Sequence, residues 1–346
     1  MKKYLTLCIA LVWLCSCPLY SQESENVGPS AELSVIPTFD GVFGIPMGGG
    51  NLDFNLGNSS FYSLFEGRMS KSLIFSMSFH WASFELDEGK FNLDAFSDLY
   101  NYTGRSDNFT WLDWAYMGWE KDNFSVIVGK NTLFGCGMEG DDYDWDIHPT
   151  LVSSIWNNFQ PYQWAVDTYY TSNSENTTLG LQVGTTPYAE LPLTKGCYSF
   201  AFNWRGEYGP LRNNWTFSYI GTGDGYYPLL SLGQAVDVSD NFSIILDYWN
   251  TVCDPENLFT KGHSAYLSAL WCPSDKWELK AIGGTEFCDY ELNGSLQGKY
   301  MGGLAVHWLP VERLRIHCTF AANQMQENSI YAAIGVQYKM NLHIGR

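Results

Sequence analysis

The feature that most constrains this chain is an alternation of period two in which the ionisable residues keep to one side. Phe75, Met77, Phe79 and Trp81 share one face of a predicted strand, and Ser76, Ser78 and His80 share the other. Trp164, Val166, Thr168 and Tyr170 oppose Gln163, Ala165, Asp167 and Tyr169. Tyr198, Phe200, Phe202 and Trp204 oppose Ser199, Asn203 and Arg205. The pattern returns in the runs that begin at Trp215, Phe242, Trp277, Leu304, Leu314 and Ile330. Across these runs His80, Asp167, Arg205, Asp247, Glu278, Lys280, His307, Arg315, His317 and Lys339 all fall with the Ser, Thr, Gly, Asn and Gln side. That side is too small and too polar to pack as a dry core, which needs bulky apolar groups. The opposite side is bulky, aromatic and free of charge. Lipid outside and water inside explain both, because Arg or Lys at the bilayer midplane costs about 2–4 kcal/mol.

A helical membrane protein is excluded on length. After the first residues no apolar run approaches the roughly 20 residues that a helical span requires. The first residues themselves read as an export signal, with Lys2 and Lys3 ahead of an apolar stretch from Leu5 to Leu14. Cleavage after Ser21 leaves a mature chain of 22–346. The alternative is lipid anchoring at Cys17, within the lipobox-like Leu14-Cys15-Ser16-Cys17. Aromatic residues at 16% and charged residues at only 16% suit strands with one face in lipid and aromatic girdles at the interfaces.

Short polar turns punctuate the strands at Arg68–Lys71, Glu120–Asn123, Ser172–Glu175, Val238–Asn241, Pro273–Lys276 and Leu309–Glu312, with a looser one near Glu207–Arg212. Longer loops, acidic or rich in glycine, fall between them. This rhythm predicts an all-β, transmembrane antiparallel barrel of about sixteen strands in one domain. It places both termini on the periplasmic side. The first strand is expected at Glu32–Asp40 and the second within Asp53–Arg68. Two segments alternate poorly, Phe61–Arg68 and Leu229–Asp237.

One stretch carries distinctive motifs. Trp119-Glu120 precedes Val126-Ile127-Val128-Gly129-Lys130, then come Phe134-Gly135, Gly137-Met138-Glu139, Asn157-Asn158 and Tyr162-Gln163. This progression resembles the phosphate-selective porin O and P family in its Bacteroidetes form. The resemblance implies a sixteen-stranded barrel, a long extracellular loop folded inward to narrow the channel, and a homotrimer. It also tilts Lys130 toward the lumen, where the alternative is a strand-end lysine that snorkels.

The charge of the chain argues against the selectivity that the family name implies. It holds 19 basic and 37 acidic residues; without Lys2 and Lys3 the count is 17 against 37, a net charge of −20. Nucleic acid is not an expected partner. Outer-membrane lipid and small hydrophilic solutes or ions are. The longest loop runs from Asn131 to Phe159, within a candidate constriction segment of 131–160, and it holds Glu139, Asp141, Asp142, Asp144 and Asp146. Such a cluster selects cations at a constriction, or holds calcium through clustered carboxylates at a spacing unlike an EF-hand, or is a solvated acidic loop. Inward Arg205, Lys280, Arg315 and Lys339 are scattered along the sequence and form no basic cluster. With Lys130 and Asp167, these residues complete the candidate pore lining.

The six His have no nucleophile or metal-ligand spacing around them, so no enzyme activity, metal or cofactor is expected. Two functions remain. One is a water-filled channel for passive diffusion of small hydrophilic solutes or ions. The alternative is a secreted aromatic-rich β protein that binds glycans, or a closed structural barrel.

Overall fold

The structure, a computed structural model, describes residues 29–56, 59–87, 90–95, 112–132, 137–139, 151, 153, 162–186, 194–221, 223, 225–250, 262–288, 297–324 and 328–345. The expected signal segment 1–21 lies outside them.

Sixteen antiparallel strands form one closed sheet. They are β1 (Ser30–Pro46), β2 (Ser59–Arg68), β3 (Leu73–Asp87), β4 (Leu112–Lys121), β5 (Phe124–Thr132), β6 (Tyr162–Thr171), β7 (Thr177–Thr185) and β8 (Tyr198–Tyr208). The sheet continues through β9 (Leu211–Gly221), β10 (Tyr226–Ser239), β11 (Phe242–Asn250), β12 (His263–Ser274), β13 (Trp277–Cys288), β14 (Gln297–Val311) and β15 (Leu314–Asn323). The last strand, β16, comes in two pieces, Ser329–Tyr338 and Met340–Gly345. Two short pieces stand outside this count: Asp53–Asn55 pairs with β1, and Lys90–Ala95 pairs with the far half of β3. Each strand pairs with the next in sequence, and β1 closes the ring. One edge of β1 pairs with β2 from Ser30↔Arg68 to Thr38↔Ser60, and the other pairs with β16 from Ser30↔Gly345 to Pro46↔Ser329. The break in β16 has a local cause. It falls at Lys339, opposite Ile36 and beside Pro37, which has no N–H to give the ladder.

The two poorly alternating segments both belong to the wall. In β2 the alternation is blurred because Ser63 takes an outward place; its hydroxyl accepts a 2.6 Å hydrogen bond from the Trp81 indole N–H. In β10 it is blurred because Leu229 points inward, where it is buried in an apolar cluster.

Burial runs opposite to that of a water-soluble sheet. On β8, Phe200 and Phe202 are 55% and 44% exposed, while Ser199 and Asn203 are 0% and 3% exposed. Leu181, Leu246, Leu267, Leu304, Phe320 and Ile334 continue the exposed apolar band on other strands. A surface of this size and composition in water would be an aggregation liability; in lipid it is the favoured state. Closure satisfies every strand edge, which an open sheet in hydrocarbon cannot do. The protein is therefore expected to be heat-modifiable. Unboiled and boiled samples should migrate differently in SDS gels, and identical migration would sink the membrane-barrel assignment.

Candidate functional site

The inner wall has two dissimilar halves. From β2 to β8 it is a mesh of hydroxyls, amides and half-exposed aromatics. Tyr62 packs against His80 in a tilted pair with ring centroids 4.1 Å apart. The Trp114 indole donates to Ser76 Oγ at 2.8 Å, and Gln163 Nε2 donates to Gln182 Oε1 at 3.0 Å. Asp167 is buried and accepts from Asn131 Nδ2 at 2.5 Å. At the border with β9, Asn203 Nδ2 donates to Asn214 Oδ1 and Thr216 Oγ1.

From β9 round to β16 and β1 the inner wall turns apolar in patches. Ile220, Leu229, Trp249, Ile282, Met301 and Tyr331 point inward and are buried together with Leu151. Leu151 does not belong to the wall at all; it comes from the connection 133–161 between β5 and β6. Its described residues lie against strands far away in the ring. Asn214 of β9 donates to the Gly137 carbonyl at 2.7 Å, and the Met138 amide donates to Asp247 Oδ1 of β11 at 2.6 Å. Met138 is buried with Ala235 and Ile245. The loop therefore folds inward across the lumen and seats on the opposite wall.

Glycines make that seat possible. Gly137 has φ +60, and a Cβ there would stand 2.3 Å from Asp247 Oδ1. A Cβ on Gly233 would stand 2.3 Å from the Met138 nitrogen. Only residues without side chains let the loop backbone reach the Asp247 carboxylate. Farther along the loop, Ser153 N–H donates to Glu139 Oε1 at 2.7 Å. Glu139 is buried, and burial raises its carboxyl to about 7, against the hydrogen bonds from Ser153 and the charge of Lys280, both of which lower it. A water-sized cavity between loop and wall is lined by Glu139, Asp247, Tyr266, Ser268 and Lys280.

A third feature lies beside the closing seam. Glu278, His307, His317 and Asp40 stand in one row across neighbouring strands. His307 Nδ1 is 3.1 Å from Glu278 Oε1, and His317 Nε2 is 3.3 Å from Asp40 Oδ2. Gly335 lies between His317 and Asp40 in the ladder, and a Cβ there would come within 2.6 Å of both.

The candidate residues are thus not gathered in one place. Glu139 and Lys280 face each other at the loop seat. Asp167 lies on the inner wall of β6, while Arg205 is exposed on the inner side of β8, paired across the ladder with Asn214 at the edge of the seat. Arg315 lies on the inner side two residues before His317, and Lys339 is exposed at the break in β16. Lys130 departs from the lumenal expectation. It pairs with Ala115 and Trp164, on the alternation of Val126 and Val128. Its ammonium is buried and donates to the Leu112 carbonyl at 2.7 Å. It is a strand-end lysine held by the wall, because Gly129 and Asn131, not Lys130, take the inward places on β5. Asp141, Asp142, Asp144 and Asp146 lie outside the described residues. Asn131, counted with the loop from sequence, belongs to β5.

Sequence reasoning missed Gly137, Gly233, Asn214 and Leu151 as parts of the seat. A signal was present. Ile220, Ile245, Trp249, Ile282 and Met301 are bulky apolar residues at inward places on β9, β11, β13 and β14. Such breaks in the alternation mark a wall that something covers.

No protein-family model matches the chain, and no curated protein matches its sequence. Solved structures do match. A mutant of Rh. blastica porin is 11% identical with a TM-score of 0.57, covering 90% of this chain and 100% of its own. A triple mutant of Rhodopseudomonas blastica porin is 12% identical with a TM-score of 0.53, over 89% and 100% of the two chains. At this identity the likeness is one of fold: the chain has the architecture of a porin.

Proposed function

We propose that the chain is an outer-membrane channel for passive diffusion of small hydrophilic solutes or ions. The observation that carries this reading is the inverted wall, apolar and exposed outside, polar inside, with a loop folded across the lumen. A structural plug has no need of the hydroxyl and amide mesh from β2 to β8. A secreted glycan binder would not expose Leu, Ile and Phe in a continuous band round a closed sheet. In this reading residues 1–21 are a signal removed on export, the short turns and both termini are periplasmic, and three copies associate in the membrane.

The selectivity proposed is weak or cation-leaning, and not for phosphate. An anion path needs a continuous ladder of bases. Arg205, Lys280, Arg315 and Lys339 sit on β8, β13, β15 and β16, and Lys280 faces Glu139 and Asp247. The loop acids Asp141, Asp142, Asp144 and Asp146 add negative potential wherever they approach the narrow part, because low-dielectric walls focus the field there. Reversal potentials of single channels in a KCl gradient should show a cation-leaning value. That value should weaken when Asp141, Asp142 and Asp144 become Asn. A strongly anion-selective value, blocked by phosphate at low concentration, would overturn this selectivity.

A further inference from the structure

We propose that a proton shared by Glu139 and Asp247 seats the inward loop on the barrel wall, and that losing it releases the loop and widens the channel. The gating part rests on the channel reading above; the seating does not.

The loop tip is held by acceptors on the wall. The Asp247 carboxylate receives the backbone N–H groups of Met138 and Glu139, and Asn214 holds the Gly137 carbonyl. Glu139 then comes to rest beside Asp247, in a place without bulk water. Its Oε1 accepts from Ser153, and its Oε2 has no hydrogen-bond partner among the described residues. Both carboxylates line the same water-sized cavity. Three of the packed strands carry titratable groups to the seat. β11 brings Asp247, β12 brings Tyr266, and β13 brings Lys280 and Glu286. β9 and β10 bring Asn214, Ser231 and Gly233, none of which titrates. Tyr266 donates to Glu286 Oε1 at 2.5 Å.

Three carboxyl groups therefore meet one ammonium. If all three were ionised, two negative charges would stand uncompensated in a dry seat, and Glu139 and Asp247 would repel each other across the loop–wall contact. A proton on Glu139 removes the repulsion. It also turns the orphan Oε2 into a donor, in a cavity that the Asp247 carboxylate lines as well.

The direction with pH follows. Burial, with Glu286 adding to it, holds the seated Glu139 at about 7, against an ordinary 4.5 once released. The seated loop therefore keeps a proton that the released loop gives up in that window. Seating is fully supported below the released value and is lost as pH rises through the seated one.

Amide hydrogen exchange at Met138 and Glu139, corrected for the intrinsic effect of pH, reads the seat without requiring conduction. Between about pH 5 and about pH 8, protection should fall by about two orders of magnitude in the native protein. E139Q should stay protected across the range. A reversible disulfide between Met138→Cys and Ala235→Cys should hold the tip at the higher pH, and it serves if E139Q fails to assemble. Flat protection in the native protein, or the same transition in E139Q or in the locked protein, would overturn the proposal. Loss of protection with no change in single-channel conductance would leave the seat standing and overturn the gating, whereas no conductance at any pH would overturn the channel reading.

Discussion

Leu246→Arg is expected to prevent stable assembly, while Ser243→Arg, three residues earlier on the same strand, is expected to be tolerated. Leu246 is 48% exposed on the outward side of β11, beside Leu267 of β12, itself 56% exposed. A guanidinium there must enter hydrocarbon, at a cost of about 2–4 kcal/mol near the midplane. That is a large fraction of the roughly 5–15 kcal/mol by which a domain is stable. Ser243 points inward, and its hydroxyl donates to Asp237 Oδ1 at 2.6 Å. An arginine at that place meets a carboxylate and water. The heat-modifiable fraction after refolding into vesicles measures the difference. Equal yields from the two variants would show that the assignment of a lipid face and a lumenal face is wrong.

Gly233→Val is expected to leave the barrel intact and dislodge the loop. Valine suits a strand, and the ladder between β9, β10 and β11 makes no demand on the side chain. The loop does. A Cβ at this place stands 2.3 Å from the Met138 nitrogen, 2.8 Å from Asp247 Oδ1 and 2.9 Å from the Gly137 carbonyl carbon. Overpacking of this kind costs about 1–3 kcal/mol. Placed on the seat alone, that shifts the seated-to-released ratio by about 5- to 150-fold. Single-channel conductance should rise and become noisier, with heat-modifiability unchanged. Unaltered conductance in a correctly assembled variant would show that the seated loop does not narrow the path. The variant also separates two roles of the seat: it weakens the contact at every pH, whereas E139Q removes only its dependence on pH.

What the sequence determined by itself is everything that one strand decides with its two solvents. Each residue of β8 meets either lipid or the interior, and the choice is made locally, so Phe200 and Phe202 could be separated from Ser199 and Asn203 by counting in twos. The same local rule gave the inward places of Asp167, Asp247, Lys280 and His317. It gave the strand number too, because the turn at each end of a strand is written in residues such as Asp122 and Glu175, which adopt positive φ. The tertiary structure decided what depends on distant partners. The meeting of Gly137 with Asp247 spans about a third of the chain, and no local pattern encodes which wall a loop will reach. The dry half of the lumen is a consequence of that meeting: Trp249, Ile282 and Met301 are acceptable inward only because Leu151 covers the cluster. Glu139 shows the reversal most clearly. In the sequence it is one acid among five in a loop that looks solvated. In the fold it is buried beside a second carboxylate, where the loss of water, not the count of charges, sets its chemistry.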